Sequence, residues 1–288
     1  MTVITDSTPL SPVALAEAAV RLTAVTKRFG MAGAPVLDGI DLAVAPGEFV
    51  CLLGASGCGK STLLTLIAGL EPATSGSIEL PGRDGEGRGR AALMFQESAL
   101  FPWLTAAGNI ELALRLRGVG KAERRSEAER LLSLVRLEGA AHTRAHELSG
   151  GMRQRVALAR ALAQQAEVLL MDEPFAALDA ITRDVLHGEL TALWQETGVT
   201  VLFVTHNVRE AARLGQRVIL LSSRPGRVAR EWRVDIPQPR RIEDAAVSEL
   251  AREITDELHQ EITKHARLAQ NSGTQRSGIQ SKETRRNG

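Results

Sequence analysis

No stretch of this 288-residue chain approaches the roughly 18 to 20 consecutive apolar residues that a bilayer-spanning helix needs, so the chain is not expected to cross a membrane. Cysteine is scarce: Cys51 and Cys58 are the whole complement. They show no paired metal spacing and no secretory context, which suits a reduced cytosol rather than a disulfide framework. An excess of one charge is missing too, since 35 Lys and Arg stand against 34 Asp and Glu. The net charge of +1 indicates no strong polyanion partner such as nucleic acid. The N-terminus has no basic region before its short apolar stretch Val13–Val20, so no secretory leader is expected. The length suits one large α/β domain or two small ones.

What the chain does have is glycine at chosen places. Gly54-Ala55-Ser56-Gly57-Cys58-Gly59-Lys60-Ser61-Thr62 follows the apolar run Glu48–Leu53, which suits a buried strand, and precedes an apolar helix pattern over Leu63–Leu70. Glycines there let the backbone curl so that successive N–H groups point inward, and such a nest on a helix N-terminus attracts polyphosphate. Lys60 supplies a point charge to the β- and γ-phosphates, the Ser61 hydroxyl is the expected Mg²⁺ ligand, and Thr62 is a further phosphate contact. The competing reading is a glycine-rich turn with a chance lysine. Asp172 argues against it, because it ends a second apolar run, Val168–Met171, and places a carboxylate at a strand tip where it can hold Mg²⁺ through water. Glu173, the next residue, is then the base for water.

A third stretch, Leu148-Ser149-Gly150-Gly151-Met152-Arg153-Gln154-Arg155, presents a glycine-rich helix start. With the loop and Asp172-Glu173-Pro174, it makes the chain, over about residues 20 to 235, resemble the ATP-binding subunit of an ABC transporter. The resemblance implies that Ser149, Gly150 and Gly151 bind the γ-phosphate of ATP held by a second subunit. It further implies that Phe29 stacks on adenine and that Gln96 senses Mg²⁺ and faces a permease. Asp179, in Ala176-Ala177-Leu178-Asp179, joins the two sites, and His206, in Val204-Thr205-His206, steadies the γ-phosphate. Taken alone, Phe29 also reads as core, and Gln96 and His206 as ordinary satisfied polar side chains. Their order between stronger motifs favours the functional reading. Cys58 lies in the cradle near a helix start that favours thiolate, so alkylation there is expected to block ATP. A buried, inert thiol is the alternative.

The fold class expected is α/β: an ABC-type P-loop ATPase core with an antiparallel β subdomain and a helical signature subdomain. Residues 1–19 read as a loose leader, 20–235 as the ATP-binding domain, and about 97–164 as its helical subdomain, with the signature helix over Ser149–Ala163. Arg21–Lys27 and Val36–Val44 alternate like antiparallel strands, whereas Phe49–Leu53, Val168–Met171 and Val199–Val204 read as buried parallel ones. Pro81–Arg90, rich in Gly and Arg, reads as an exposed turn whose arginines either touch phosphate or are simply solvated. Phe101 and Trp103 stand where the family docks a permease helix; they also suit closure of a local core. In 236–288, Val247, Leu250, Ile254, Leu258 and Ile262 make an amphipathic helix within Glu243–Leu268, followed from Gln270 by a disordered polar tail. The helix reads as packing on its own domain, with dimer or permease contact as the other uses. Its acidic polar face argues against membrane-surface binding.

The resemblance implies a head-to-tail homodimer with two ATP molecules between the loop of one chain and the signature helix of the other. The separate permease and, indirectly, a solute-binding protein complete it, with the ATP subunit peripheral on the cytoplasmic face of the bacterial inner membrane. Chromosome-maintenance relatives would need coiled-coil arms between Thr62 and Leu148, where the gap is short. Translation factors carry two modules and excision-repair relatives carry zinc cysteines. An ATPase serving iron–sulfur scaffold assembly is the non-transport alternative. Phe95–Leu104 and the Ser222-Ser223-Arg224-Pro225-Gly226-Arg227 turn resemble the nitrate, sulfonate and taurine importer group. Sugar, sulfate and polyamine importers usually append a β-rich domain, and this tail looks short and helical. Importers of other small solutes share much of the pattern.

Overall fold

The computed structural model describes residues 18–30, 33–80 and 91–283, with side chains as far as Lys264. The expectations for the leader and for Pro81–Arg90 lie outside the described residues, apart from Ala18 and Ala19. Two sheets form the frame. The smaller is antiparallel, in the order β2 (Pro35–Val44), β1 (Val20–Arg28), β4 (Ser75–Glu79). In β1, the buried positions Val20, Leu22, Val25 and Lys27 are interleaved with more exposed ones, as a sheet with one wet face requires.

The larger sheet runs β5 (Ala91–Met94), β6 (Val168–Asp172), β7 (Thr200–Val204), β3 (Phe49–Gly54), β8 (Arg217–Leu221), β9 (Val228–Arg233). All neighbours are parallel except the β8–β9 edge pair. Every residue of β3, β6, β7 and β8 is buried, because helices or the small sheet cover both faces. Alternate residues feed two cores. Val50, Leu52, Leu170, Leu202, Val204 and Ile219 face a cluster shared with the antiparallel sheet and with α1 (Lys60–Ile67). Phe49, Cys51, Leu53, Leu169, Met171 and Phe203 face a second cluster built on the remaining helices.

Those helices are α2 (Ala106–Leu116), α3 (Lys121–Leu134), α4 (Gly150–Leu162), α5 (Ala180–Thr197), α6 (Val208–Leu214) and α7 (Ala245–Glu283). The first three pack on one another beside β5. Thr105 caps α2 through Gly108 N–H, Asp179 caps α5 through Thr182 N–H, and Gly198 in the left-handed region ends α5. Val247, Leu250, Ala251 and Ile254 of α7 are buried in the second core, each large one worth about 1.5–3 kcal/mol. Glu253 accepts from Trp232 Nε1 at 2.8 Å and pairs with Arg230. The α7 helix therefore packs on its own domain. It also runs on to Glu283, where a disordered tail is expected from Gln270: a docked first half has already met the nucleation cost, so a polar continuation adds turns cheaply. Among the described residues no helix is long and apolar enough to cross a membrane.

Register sets the site. Leu52 and Asp172 both pair with Val204, Met94 pairs with Met171, and Gly54 pairs with Leu221. The carboxyl ends of β3, β5, β6, β7 and β8 are thus level, and the loops that leave them meet along one edge, where open parallel sheets bind ligands.

Candidate nucleotide site

The loop between β3 and α1 turns on glycines at positive φ: Gly54, Gly57 and Gly59 have φ of 153°, 75° and 102°. A side chain on Gly54 would put Cβ 2.6 Å from Cys58 Sγ and 2.9 Å from Leu221 O, so only glycine fits. Lys60 is buried, and its Nζ donates to Gly54 O at 2.7 Å and Ala55 O at 3.1 Å, which holds the ammonium inside the loop. The Ser61 hydroxyl stands close enough to the Asp172 carboxylate to lower its pKa, so the two groups expected at Mg²⁺ are neighbours. Burial pushes the Asp172 carboxyl up, opposed by the Ser61 hydroxyl and Lys60 and reinforced by Glu173. No cluster of three or more His, Cys, Asp or Glu with metal-holding geometry occurs among the described residues. Mg²⁺ takes few protein ligands and completes its shell with phosphate oxygens and water, so a hydroxyl and a carboxylate such as Ser61 and Asp172 suit it.

Glu173 sits at φ 46°, a strained conformation for a residue with a side chain. Its N–H donates to Val204 O at 3.0 Å, and its carbonyl accepts from Ala176 N at 3.2 Å. The carboxylate is 3.0 Å from His206 Nδ1. A carboxylate only accepts, so Nδ1 carries the proton. Glu173, Phe175, Ala176, Arg183, Thr205, His206, Asn207 and Glu210 line one pocket. Loop, Asp172, Glu173 and His206 are therefore gathered at one strand edge.

Phe29 follows β1 with 54% of its surface exposed and Lys27 Nζ 5.0 Å from its ring centroid. It is not core. Gln96, two residues beyond β5, is exposed, and its carbonyl accepts from Gln154 Nε2 at 3.4 Å. Ser149 caps α4 by accepting from Met152 N–H at 3.2 Å, so Gly150 and Gly151 are its first residues. Their helix belongs to the second core, whereas Cys58 and α1 belong to the first. A Cβ on Gly151 would meet Leu178 Cδ2 at 2.9 Å, which ties the signature turn to the segment before Asp179. Hydrogen bonds from the backbone of Thr182 hold the Asp179 carboxyl below its ordinary range.

Two expectations need correction or sharpening. Cys58 does not offer a thiolate: its side chain packs into the first core, and burial raises its pKa more than Lys60 at 3.9 Å lowers it. Its contribution to the loop is backbone. Phe101 and Trp103 do not close a core, since both are exposed, Trp103 by 68%. Their ring centroids are 5.5 Å apart, and the Asn109 amide fixes the Phe101 backbone, its Oδ1 accepting from Phe101 N–H and its Nδ2 donating to Phe101 O.

Several residues escaped the sequence reading. Gln154 bridges Gln96 O and Ala177 N, the latter at 3.1 Å; it lay inside a quoted motif, but nothing in its type announced a bridge. Arg224 Nε donates to Gly57 O at 3.2 Å, while Arg227 pairs with Asp38. The Ser222–Arg227 turn thereby fastens the phosphate loop to β2, a role that a family cue does not reveal. His187, Glu210 and Thr205 form a buried polar group, of which Thr205 and Glu210 reach the pocket wall.

A glycine-nested loop on a helix start, with a strand-tip Asp and an adjoining Glu–His pair, defines a P-loop nucleotide hydrolase. The chain belongs to the ABC transporter ATP-binding family. The family model described as ABC transporter matches residues 37–176. An uncharacterized ABC transporter ATP-binding protein of Methanocaldococcus jannaschii is 44% identical over 243 residues, 83% of this chain and 91% of that one. A nitrate import ATP-binding protein of Synechocystis is 48% identical over 70% of this chain and 76% of its own length. A taurine import ATP-binding protein of Escherichia coli is 48% identical over 68% and 77%. A solved ATP-binding cassette, described as dimeric in a post-hydrolysis state with ADP and phosphate, matches with TM-score 0.69 and 35% identity, covering 76% of this chain and all of that one. The chain is thus an ATPase of the transport type, similar to the ATP-binding subunits of nitrate and taurine importers.

Proposed function

We propose that the chain is the ATP-hydrolysing subunit of an importer that takes up a small anion such as nitrate, an aliphatic sulfonate or taurine through a separate permease. It works as a head-to-tail homodimer on the cytoplasmic face of the membrane, with a solute-binding protein delivering the anion to the permease. The observation that carries the catalytic part is the Glu173–His206 contact of 3.0 Å beside the Asp172–Ser61 pair. The 48% identity to nitrate and taurine import subunits supports the substrate class.

Each residue has a task. The inward N–H groups of Gly54 to Thr62 and the Lys60 ammonium hold the β- and γ-phosphates. Ser61 and, through water, Asp172 would hold Mg²⁺, with Gln96 reaching it from the β5 end. Bound Mg²⁺ supplies neutralisation of charge on the phosphates. Phe29, exposed just beyond β1, stacks on adenine. Glu173 takes the proton of a water whose oxygen attacks the γ-phosphorus as the bond to the β-phosphate oxygen breaks, leaving ADP and phosphate. His206 donates to Glu173 and so fixes which carboxylate oxygen faces the water. Ser149, Gly150 and Gly151 of the second subunit complete the γ-phosphate shell, and Asp179 carries the closure to the other site. Rate comes from positioning and charge stabilisation.

The test combines Glu173→Gln with uptake of labelled taurine, an alkanesulfonate and nitrate. The variant is expected to bind ATP, to hydrolyse at a rate lowered by about a hundredfold or more, and to abolish uptake of one of the three anions. Hydrolysis at the unmodified rate refutes the role of Glu173. Unchanged uptake of all three in cells lacking the chain refutes the substrate class and leaves the ATPase standing.

A further inference from the structure

We infer that His187, Glu210 and Thr205 are positioning residues, a buried relay that sets His206 against Glu173 and ties that setting to the helix capped by Asp179. The inference rests on the catalytic reading of Glu173 and His206 given above. His187 is fully buried, and Thr205 and Glu210 nearly so. His187 Nε2 lies 2.6 Å from Glu210 Oε1, and the Thr205 hydroxyl donates to Glu210 Oε2. The same hydroxyl accepts from Asn207 N–H at 3.0 Å, and Thr205 N–H donates to Leu52 O at 3.2 Å. His206 is the residue between these two anchored neighbours. Its own side chain is open to the pocket, so its place is set by the backbone on either side.

The far end of the relay fixes its protonation pattern. His187 Nδ1 faces Arg213 Nη1 at 3.4 Å, and a guanidinium only donates. Nδ1 therefore accepts, and Nε2–H donates to Glu210. Arg213 is held by Asp184 and by Arg240 O at 3.1 Å, so the imidazole cannot turn without breaking further contacts. His187 also stands edge-on to Phe175, with centroids 5.1 Å apart, and Phe175 lines the pocket with Glu173 and His206. His187 projects from α5, whose N-cap is Asp179. A shift of α5 thus reaches His206 by two routes, through Glu210 and Thr205 and through Phe175.

A group kept only for folding would be cheaper as apolar side chains of similar volume, because buried charge carries a desolvation cost. This one ends at the exposed His206, on the side where the reaction occurs. The relay touches no substrate; it acts through His206.

The experiment is steady-state ATP hydrolysis by the purified full chain with Thr205→Val, Thr205→Ser, His187→Leu, Glu210→Gln and, as control, Glu173→Gln. Valine keeps the shape of Thr205 and loses its hydroxyl. We expect kcat to fall about tenfold in Thr205→Val and in His187→Leu, with KM for ATP within about twofold, because loop contacts are untouched. Thr205→Ser restores the hydroxyl and should restore kcat. Glu210→Gln, which keeps one acceptor, should fall between them. A normal kcat in Thr205→Val and His187→Leu, with Glu173→Gln inactive, overturns the relay and leaves the catalytic reading intact. Equal losses in the valine and serine variants also overturn it, since packing and not the hydroxyl would then matter. Full activity in Glu173→Gln overturns the catalytic reading and the relay with it. Should one variant fail to fold, the remaining substitutions decide by the same kcat and KM criterion.

Discussion

Replacing Gly54 by alanine puts the phosphate loop under a defined strain. At φ 153° a side-chain residue is essentially excluded, a backbone cost on the order of 1–3 kcal/mol. The new Cβ would lie 2.6 Å from Cys58 Sγ and 2.9 Å from Leu221 O, and overpacking of this kind costs about 1–3 kcal/mol more. The sum is about 2–6 kcal/mol. The two overlaps differ in how they can be relieved. Leu221 O is backbone in the β8 strand paired with Gly54, whereas Cys58 Sγ belongs to one removable side chain. Cys58→Ala alone should cost about 1–2 kcal/mol as a small cavity. In that background, Gly54→Ala should cost at least about 1 kcal/mol less than in the parent, because the sulfur overlap is gone while the φ and carbonyl terms stay. Urea unfolding of the four proteins at constant m gives the cycle. Binding of a fluorescent ATP analogue should weaken about tenfold or more in Gly54→Ala, because the nest of N–H groups is displaced. A cost below about 1 kcal/mol for Gly54→Ala, or additivity within about 0.5 kcal/mol, would refute the reasoning.

Burial raises the pKa of both Cys51 and Cys58, so maleimide should label neither at neutral pH in the native protein, with or without ATP, and both in denaturant; rapid native labelling of Cys58 contradicts its placement. The same raised values make the folded state hold its thiol protons longer than the unfolded one. Stability should thus be full below about pH 8.5 and decline as pH rises further, less steeply in a variant with both cysteines replaced by alanine; equal slopes would count against it. Phe29→Ala should weaken ATP binding while leaving the urea midpoint nearly unchanged, since the ring is half exposed, and Phe29→Trp should retain binding. Trp103→Ala should reduce co-purification of the permease without altering ATP affinity; unchanged co-purification would remove Trp103 from the docking surface. Ser149→Ala removes the α4 cap and should cost about 1 kcal/mol, read by thermal or urea unfolding.

The sheet was legible because its signals are local. Unbroken apolar runs such as Phe49–Leu53 and Val168–Met171 suit strands covered on both faces, and the alternation in Arg21–Lys27 suits a strand with one wet face. The loop was legible because its glycines are demanded by backbone angles that other residues avoid. The relay was not, because His187 and Glu210 stand 23 positions apart and only the register of β3, β6 and β7 brings their helices together. Local pattern misleads here. Asn207-Val208-Arg209-Glu210 reads as a capping box, which would send the Glu210 carboxylate back to Asn207 N–H. In the structure that N–H goes to Thr205 Oγ1, and Glu210 turns inward to His187. The thiol of Cys58 was misjudged for a different reason: the Lys60 charge and backbone N–H at the helix start do lower its pKa, but burial in the first core raises it more.

The division into two cores bears on how transport and hydrolysis are joined. The phosphate loop and α1 pack with the antiparallel sheet, while Ser149 and α4 pack with α2 and α3. Contacts that cross between functional segments therefore carry whatever couples them. Arg160 donates to Ala99 O at 2.7 Å and lies 5.8 Å from the Phe101 ring, which fixes the exposed aromatic pair to the signature helix. From the same helix Gln154 holds Gln96 O on one side and Ala177 N on the other. On the proposed reading, a force applied at Phe101 and Trp103 reaches Gln96 and the segment that ends in Asp179 through α4. None of these residues needs to meet the transported anion. On the same proposed reading, selection among nitrate, sulfonate and taurine belongs to the permease and the solute-binding protein, and this chain sets when they move.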